Sequence, residues 1–176
     1  RMVNAAELAH RFHSLLPAAQ RPEYTSGYEG FYYLEGISGT VEHATSRYII
    51  RDHDAGKFQA KIDRLLSAVS FMNEEQGCER VTVEIKQQYR NMAEKVAQHP
   101  ELITLAKEAF AEAGVEPNVI PIRGGTDGAQ LSFRGLPCPN LSTGAYCCHG
   151  VNEFIPVKSL ETMVDVLTHL VAKFAA

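Results

Sequence analysis

Between Leu8 and Ile85 the apolar residues alternate between a helical and a strand period, and that succession constrains the fold more than any other feature. Leu8, Phe12, Leu15 and Leu16 fall on one helical stripe, stopped by Pro17, whose ring clashes with a preceding turn. A polar stretch over 18–30 follows. Phe31-Tyr32-Tyr33-Leu34-Glu35-Gly36-Ile37 then reads as an aromatic and β-branched strand. A turn around Ser38-Gly39 leads through Thr40-Val41 to a second strand, Arg47-Tyr48-Ile49-Ile50-Arg51-Asp52, which predicts an antiparallel hairpin. Phe58, Ile62, Leu65, Leu66, Val69 and Met72 mark a long amphipathic helix ending at Gly77. Arg80–Ile85 alternates polar and apolar residues, as a strand with one wet face does. The order α-β-β-α-β is that of a ferredoxin-like sandwich, β-α-β-β-α-β, without its first strand.

Composition shifts after Tyr89-Arg90-Asn91. Leu102, Leu105, Ala106, Ala109, Phe110 and Ala113 predict a helix closed by Gly114. Extended runs at Asn118–Ile122 and Leu136–Leu141 follow, the second broken by Pro137 and Pro139. A strong C-terminal helix carries Leu160, Met163, Val164, Leu167, Leu170, Val171 and Phe174. Helices alternating with extended runs predict part of an α/β layer structure with parallel strands. The chain opens inside its first helix, which suggests a cut edge of a longer polypeptide.

The charge balance excludes some classes of partner. The chain has 176 residues, with 17 basic and 21 acidic side chains, a net charge of −4. Up to Met92 there are 11 basic and 12 acidic residues, and beyond it 6 and 9, so neither half is basic. That argues against nucleic acid, whose binding needs a basic face. No window approaches the apolar length of a membrane span, and Arg1-Met2-Val3-Asn4 opens no signal-peptide core. Four cysteines, two of them adjacent, do not resemble a secreted disulfide framework. A reduced, cytoplasmic protein is expected.

Three clusters could carry chemistry. Arg123-Gly124-Gly125-Thr126-Asp127-Gly128 could let backbone approach a ligand at a helix start, or be a turn in which Asp127 caps the helix. Tyr146-Cys147-Cys148-His149-Gly150, with Glu153, offers metal-ligating types, but adjacent residues point apart and one His is a weak site. Arg51-Asp52-His53-Asp54 could aim an arginine fork at a carboxylate, or be a solvated strand end with a local ion pair. His10, His13, His43, His53, His99 and His169 are scattered, and Tyr28, Phe31, Tyr32 and Tyr33 read as packing or interface.

Taken together, Gly27-Tyr28-Glu29-Gly30-Phe31-Tyr32, Tyr48–Asp52, Asn91-Met92-Ala93-Glu94-Lys95 and above all the run from Pro121 to Asn140 resemble the peptidase T family. These are cytoplasmic aminotripeptidases of the dizinc aminopeptidase and carboxypeptidase clan. Leu141-Ser142-Thr143-Gly144, His149-Gly150 and Glu153-Phe154 continue the match in the same order. The resemblance implies an α/β fold. Residues 1–91 would be most of a lid or dimerisation domain, α+β and ferredoxin-like but lacking its first strand. Residues 92–176 would be the last part of a three-layer α/β/α catalytic domain. The family's N-terminal catalytic segment, with its other zinc ligands and its glutamate base, would be missing. By the same resemblance His149 is a zinc ligand, while Arg51, Asn91 and Arg123 handle substrate. Cys147-Cys148 departs from the family's pair before that His.

The implied reaction is hydrolysis at two zinc ions about 3.5–4 Å apart, which bridge a hydroxide and polarise the scissile carbonyl, with a glutamate moving the proton. Arg51 and Arg123 would hold the far carboxylate of a small peptide, which favours tripeptides. The chain alone, with one ligand and no base, is expected to be inactive. The expected partners are peptide substrate and either a second copy through the lid or the missing N-terminal segment; nucleic acid and membrane are not expected. Two other classes stay open: a non-catalytic lid-type dimerisation module, and a Cys–His hydrolase built on Cys148.

Overall fold

The computed structural model describes residues 2–175. The chain forms two compact units: residues up to Gln87 with Pro121–Gly124, and Gln88–Ile120 with the chain from Gly125 onward.

The first unit opens with α1 (Ala5–Leu15). Asn4 caps it: its Oδ1 accepts from the N–H groups of Ala6 and Glu7, two of the donors a helix start leaves unpaired. β1 (Phe31–Gly39) and β2 (Ala44–Arg51) pair antiparallel, from Phe31 opposite Arg51 to Gly39 opposite Ala44, with a bulge between Leu34 and Gly36. The hairpin turn is thus later than the sequence suggests: β1 runs to Gly39, and Thr40 donates its N–H to the His43 carbonyl at 2.7 Å. α2 (Ala55–Gln76) starts on Asp54, whose Oδ1 accepts from the Lys57 N–H at 2.8 Å, and ends at left-handed Gly77.

The core is Phe12 and Leu16 of the first helical stretch, Tyr32 of β1, and Leu65, Ala68 and Met72 of α2. Tyr48 and Ile50 of β2 pack against it from partly buried positions. Burial pushes the Tyr48 hydroxyl up to about 12. His13 stacks on the Tyr48 ring, with its Nδ1 3.1 Å from the hydroxyl oxygen. Burial, the largest cause, holds the His13 imidazole below its ordinary value, helped by the positive Arg21.

One expected strand is not formed. The sheet has two strands, and Arg80–Ile85 joins no ladder. Asn73 of α2 ties down its start, accepting from the N–H groups of Arg80 and Val81 and donating to the Val81 carbonyl. Val83 and Ile85 beyond it are exposed. Alternation specifies which face a strand would bury, but a strand exists only beside a partner. In the ferredoxin-like order that partner precedes α1, and α1-β1-β2-α2 holds no such strand.

The second unit contains α3 (Ala93–Val96), α4 (Pro100–Glu112), α5 (Asp127–Phe133) and α6 (Val157–Ala175). α4 and α6 pack together, with Ala106, Ala109 and Val166 buried and Lys173 bonded to Glu108 at 3.1 Å and Glu112 at 2.7 Å. The class is α/β, helices with a small sheet, but the parallel strands expected at 118–122 and 136–141 are absent among the described residues. Pro121, Pro137 and Pro139 lack the N–H that a ladder needs, and neither run lies beside another strand. The only pairing in this unit, among the described residues, is a single bridge between Tyr146 and Phe154. No helix is long and apolar enough to cross a membrane, among the described residues.

Candidate functional site

In the first unit, three stretches of chain converge around Phe31. Arg51 ends β2 directly opposite Phe31 in the ladder. Arg123, on the short segment that returns to this unit, lays its guanidinium over the Phe31 ring at 4.9 Å. Phe31 is thus the ladder neighbour of one predicted arginine and carries the other on its ring. The Arg123 fork is already engaged: Nη1 donates to the Thr25 carbonyl at 2.6 Å and Nη2 to the Thr25 hydroxyl at 2.5 Å. Its Nε is buried with no hydrogen-bond partner among the described residues.

His53 pins the same segment. Its Nδ1 lies 3.3 Å from the Tyr28 carbonyl and its Nε2 3.1 Å from the Ile122 carbonyl, and its ring meets Tyr28 edge-on. In the sequence His53 falls both within the Arg51–Asp54 cluster and among the scattered histidines. Its signal was position alone, two residues beyond Arg51.

Asp52 is not part of a solvated strand end. Its side chain is 2% exposed and faces the Lys61 ammonium, itself 11% exposed, at 3.4 Å. Lys61 also donates to Gln20 at 2.9 Å and lies over the Tyr32 ring. The Asp52 Oδ1 accepts from the Asp54 N–H, and Asp54 caps α2. Gly30 lies flat against this carboxylate: a Cβ there would collide with Asp52 and come within 2.5 Å of the Arg51 carbonyl. Sequence reading missed the pair with Lys61, nine positions away on another element.

In the second unit, Asn91 is exposed just before α3, and its Oδ1 accepts from the Ala93 N–H at 2.9 Å. The glycine-rich run leads into α5. Thr126, not Asp127, is the cap: its Oγ1 accepts from the Ala129 N–H at 3.3 Å, and Asp127 is the first helical residue. Gly128 serves the chain's own packing, since a Cβ there would stand 2.5 Å from the Cys138 carbonyl.

His149 is exposed in the loop closed by the Tyr146–Phe154 bridge, where those two rings stack at 5.3 Å. Its backbone is left-handed, φ 66°, and its N–H donates to a Glu153 oxygen at 3.1 Å. Cys147 and Cys148 beside it are free and exposed. Zinc takes about four donors in a tetrahedron. No three His, Cys, Asp or Glu side chains converge among the described residues. This chain's own donors therefore do not make up a metal site. His149 and Asn91 lie in one unit, Arg51 and Arg123 in the other.

A model of peptidase family M20/M25/M40 matches residues 13–173. A protein named Peptidase T from Parabacteroides distasonis is 50% identical over 172 residues, which cover 97% of this chain and 42% of that protein. One of the same name from Streptococcus pyogenes serotype M28 is 46% identical over 98% of this chain and 42% of its own length. The chain thus spans about two-fifths of these relatives. Its fold is similar to that of a Bacillus cereus aminopeptidase, TM-score 0.65 at 19% identity over 99% of this chain and 46% of that one. A Staphylococcus aureus tripeptidase gives a TM-score of 0.67 at 20% identity over 96% and 44% of the two chains.

Proposed function

The chain belongs to peptidase family M20/M25/M40, and from that premise we propose that it forms part of a cytoplasmic, zinc-dependent aminopeptidase that releases the N-terminal residue of tripeptides. The supporting observation is identity of 46–50%, spread over nearly the whole chain, with proteins named Peptidase T. Residues 1–91 serve as the lid and 92–176 as the end of the catalytic domain. This chain's donors do not complete a metal site among the described residues, and His149 serves as one ligand of a site completed by the rest of the protein.

The chain's own contribution is substrate handling. Arg51, Asn91 and Arg123 hold the peptide, the two arginines at its far carboxylate. A guanidinium binds a carboxylate best through two parallel N–H bonds. Arg123 spends both terminal nitrogens on Thr25, but its Nε is unpartnered. A carboxylate bonded through the Nε edge would satisfy that orphan donor, whose burial is otherwise costly. The lid reading also gives the hairpin a role between copies of the chain, since a two-stranded sheet leaves an open edge on each side.

The test compares two samples on a free tripeptide with zinc supplied. The 176-residue chain alone is expected to release no N-terminal residue, and the complete protein to release it. Zinc-dependent turnover by the chain alone would overturn the assignment, as would an inactive complete protein with its metal bound.

A further inference from the structure

His53 is half-buried between two stretches of chain, and both of its ring nitrogens face carbonyl oxygens. Nδ1 lies 3.3 Å from that of Tyr28 and Nε2 3.1 Å from that of Ile122. A carbonyl oxygen only accepts, so each contact is a hydrogen bond only when the nitrogen facing it carries a proton. A neutral imidazole has one N–H and makes one of the two bonds; its other nitrogen then sets a lone pair against a carbonyl lone pair. The imidazolium has both protons and makes both bonds, and a bond donated by a charged ring is stronger than a neutral one. Arg123 joins the same two stretches. It follows Ile122 directly and donates to Thr25, three residues before Tyr28. The returning segment is therefore fastened twice, once by each residue.

We propose that His53 is a positioning residue for Arg123: its imidazolium form ties Ile122 to Tyr28 and so fixes the guanidinium where a peptide carboxylate is held, and its neutral form lets the segment loosen. The inference rests on the reading of Arg123 as the carboxylate binder. A guanidinium binds a carboxylate through a fixed fork, so a shift of its backbone is felt directly in the bond geometry. With the His53 tie in place, the Arg123 side chain does not have to hold its own segment as well as the substrate. The other titratable or charged groups around the ring are engaged elsewhere. On its own stretch Arg51 ends β2, Asp52 pairs with Lys61 and Asp54 caps α2. On the second stretch Tyr28 meets the ring edge-on and offers its carbonyl, and Glu29 accepts from the Ser26 N–H at 2.8 Å. On the third, Arg123 bonds Thr25 and covers the Phe31 ring. Of these residue types only histidine ordinarily changes charge between about pH 5 and 8. Carboxylate handling should therefore be stronger on the acid side of that range.

Two variants of the complete protein separate the donor from the ring. His53→Gln brings an uncharged amide nitrogen to about the reach of Nε2 and can keep the Ile122 bond at every pH. His53→Asn reaches only as far as Nδ1 and cannot. The first readout is amide hydrogen exchange at Ile122, Arg123 and Gly124, with parent and variants compared at the same pH. At about pH 5.5 the His53→Asn segment should exchange about tenfold faster than the parent, the scale of one lost bond to a charged donor. At about pH 8 that difference should shrink below about threefold, while His53→Gln should hold the segment equally at both. An Asn variant that exchanges like the parent at the lower pH, or a ratio that is the same at both, would overturn the proposal. The second readout is kcat/KM for a free tripeptide divided by that for its amide, a ratio in which any effect of pH on the metal site cancels. In the parent it should fall about tenfold between about pH 5.5 and about pH 8, through KM, and it should be flat in His53→Gln. The parent profile needs no variant, so it decides even if a variant does not fold. A ratio that ignores pH while exchange responds would remove His53 as a positioning residue. Exchange as expected in a complete protein that cleaves neither peptide would sink the tripeptidase reading and leave the His53 tie standing.

Discussion

Asp52→Asn is the sharpest probe of what holds Arg51 in place. The substitution keeps the shape of the side chain and keeps Oδ1 as acceptor for the Asp54 N–H. What it deletes is the charge opposite Lys61. Removing one partner of a buried pair costs about 3–5 kcal/mol, because the other charge is left in a poor solvent. Lys61 retains Gln20 at 2.9 Å and the Tyr32 ring at 5.5 Å, and 11% of its side chain still reaches water. The expected loss is therefore near the lower end, about 3 kcal/mol, more than a hundredfold in the folding equilibrium of that unit. With two compact units, one unfolding curve for the whole chain would mix them. Native-state hydrogen exchange of the α2 amides reads the first unit by itself. Adding Lys61→Met removes the stranded charge as well, and the double variant should return to within about 1 kcal/mol of the parent. A loss below about 1 kcal/mol in Asp52→Asn, or a double variant as damaged as the sum of the singles, would refute the argument.

Further outcomes follow from the site and the core. In the complete protein, Arg123→Lys should weaken kcat/KM for a free tripeptide by about 1.5–3 kcal/mol and matter much less for the tripeptide amide; equal losses on both would remove Arg123 from the carboxylate site. His149→Ala should cost the complete protein at least one zinc ion by metal analysis, along with nearly all turnover, and retention of the full metal content would refute its role as a ligand. Because His13 is held below its ordinary value of 6.5 in the folded chain, the unfolded chain binds the proton more readily. The stability present above pH 6.5 should fall as pH drops through the lowered folded value. His13→Gln should flatten that part of the urea-midpoint profile, and an unchanged slope would show that other groups set it.

What could be read from the sequence was what neighbouring residues decide. The Leu8–Leu16 stripe ended by Pro17 and the α2 helix closed by Gly77 appear where the periods place them, and the hairpin forms with its turn at 40–43 instead of around Ser38-Gly39. Arg80–Ile85 failed because alternation records a strand's faces and says nothing about whether a partner lies alongside. Thr126 and Asp127 are adjacent and both cap helices well, so their order could not be read without the backbone. Within the candidate site, what the Arg123 fork holds in this chain could not be read from the sequence. Thr25 is 98 positions away, in a polar loop whose composition carries no signal for it.

The four residues Pro121–Gly124 belong to the first unit although the chain on either side of them belongs to the second. During synthesis, the Thr25 carbonyl and hydroxyl therefore wait for Arg123, and the Ile122 carbonyl arrives late for His53. Gln87 and Gly124 are 37 positions apart. At roughly 5–20 residues per second the ribosome needs roughly 2–7 s to cross that interval. For that time the nascent first unit has its helices and hairpin but not the segment that fastens the 25–31 stretch. A chain terminated at Gln87 would be held permanently at that stage, so no single cut separates the two units with both intact.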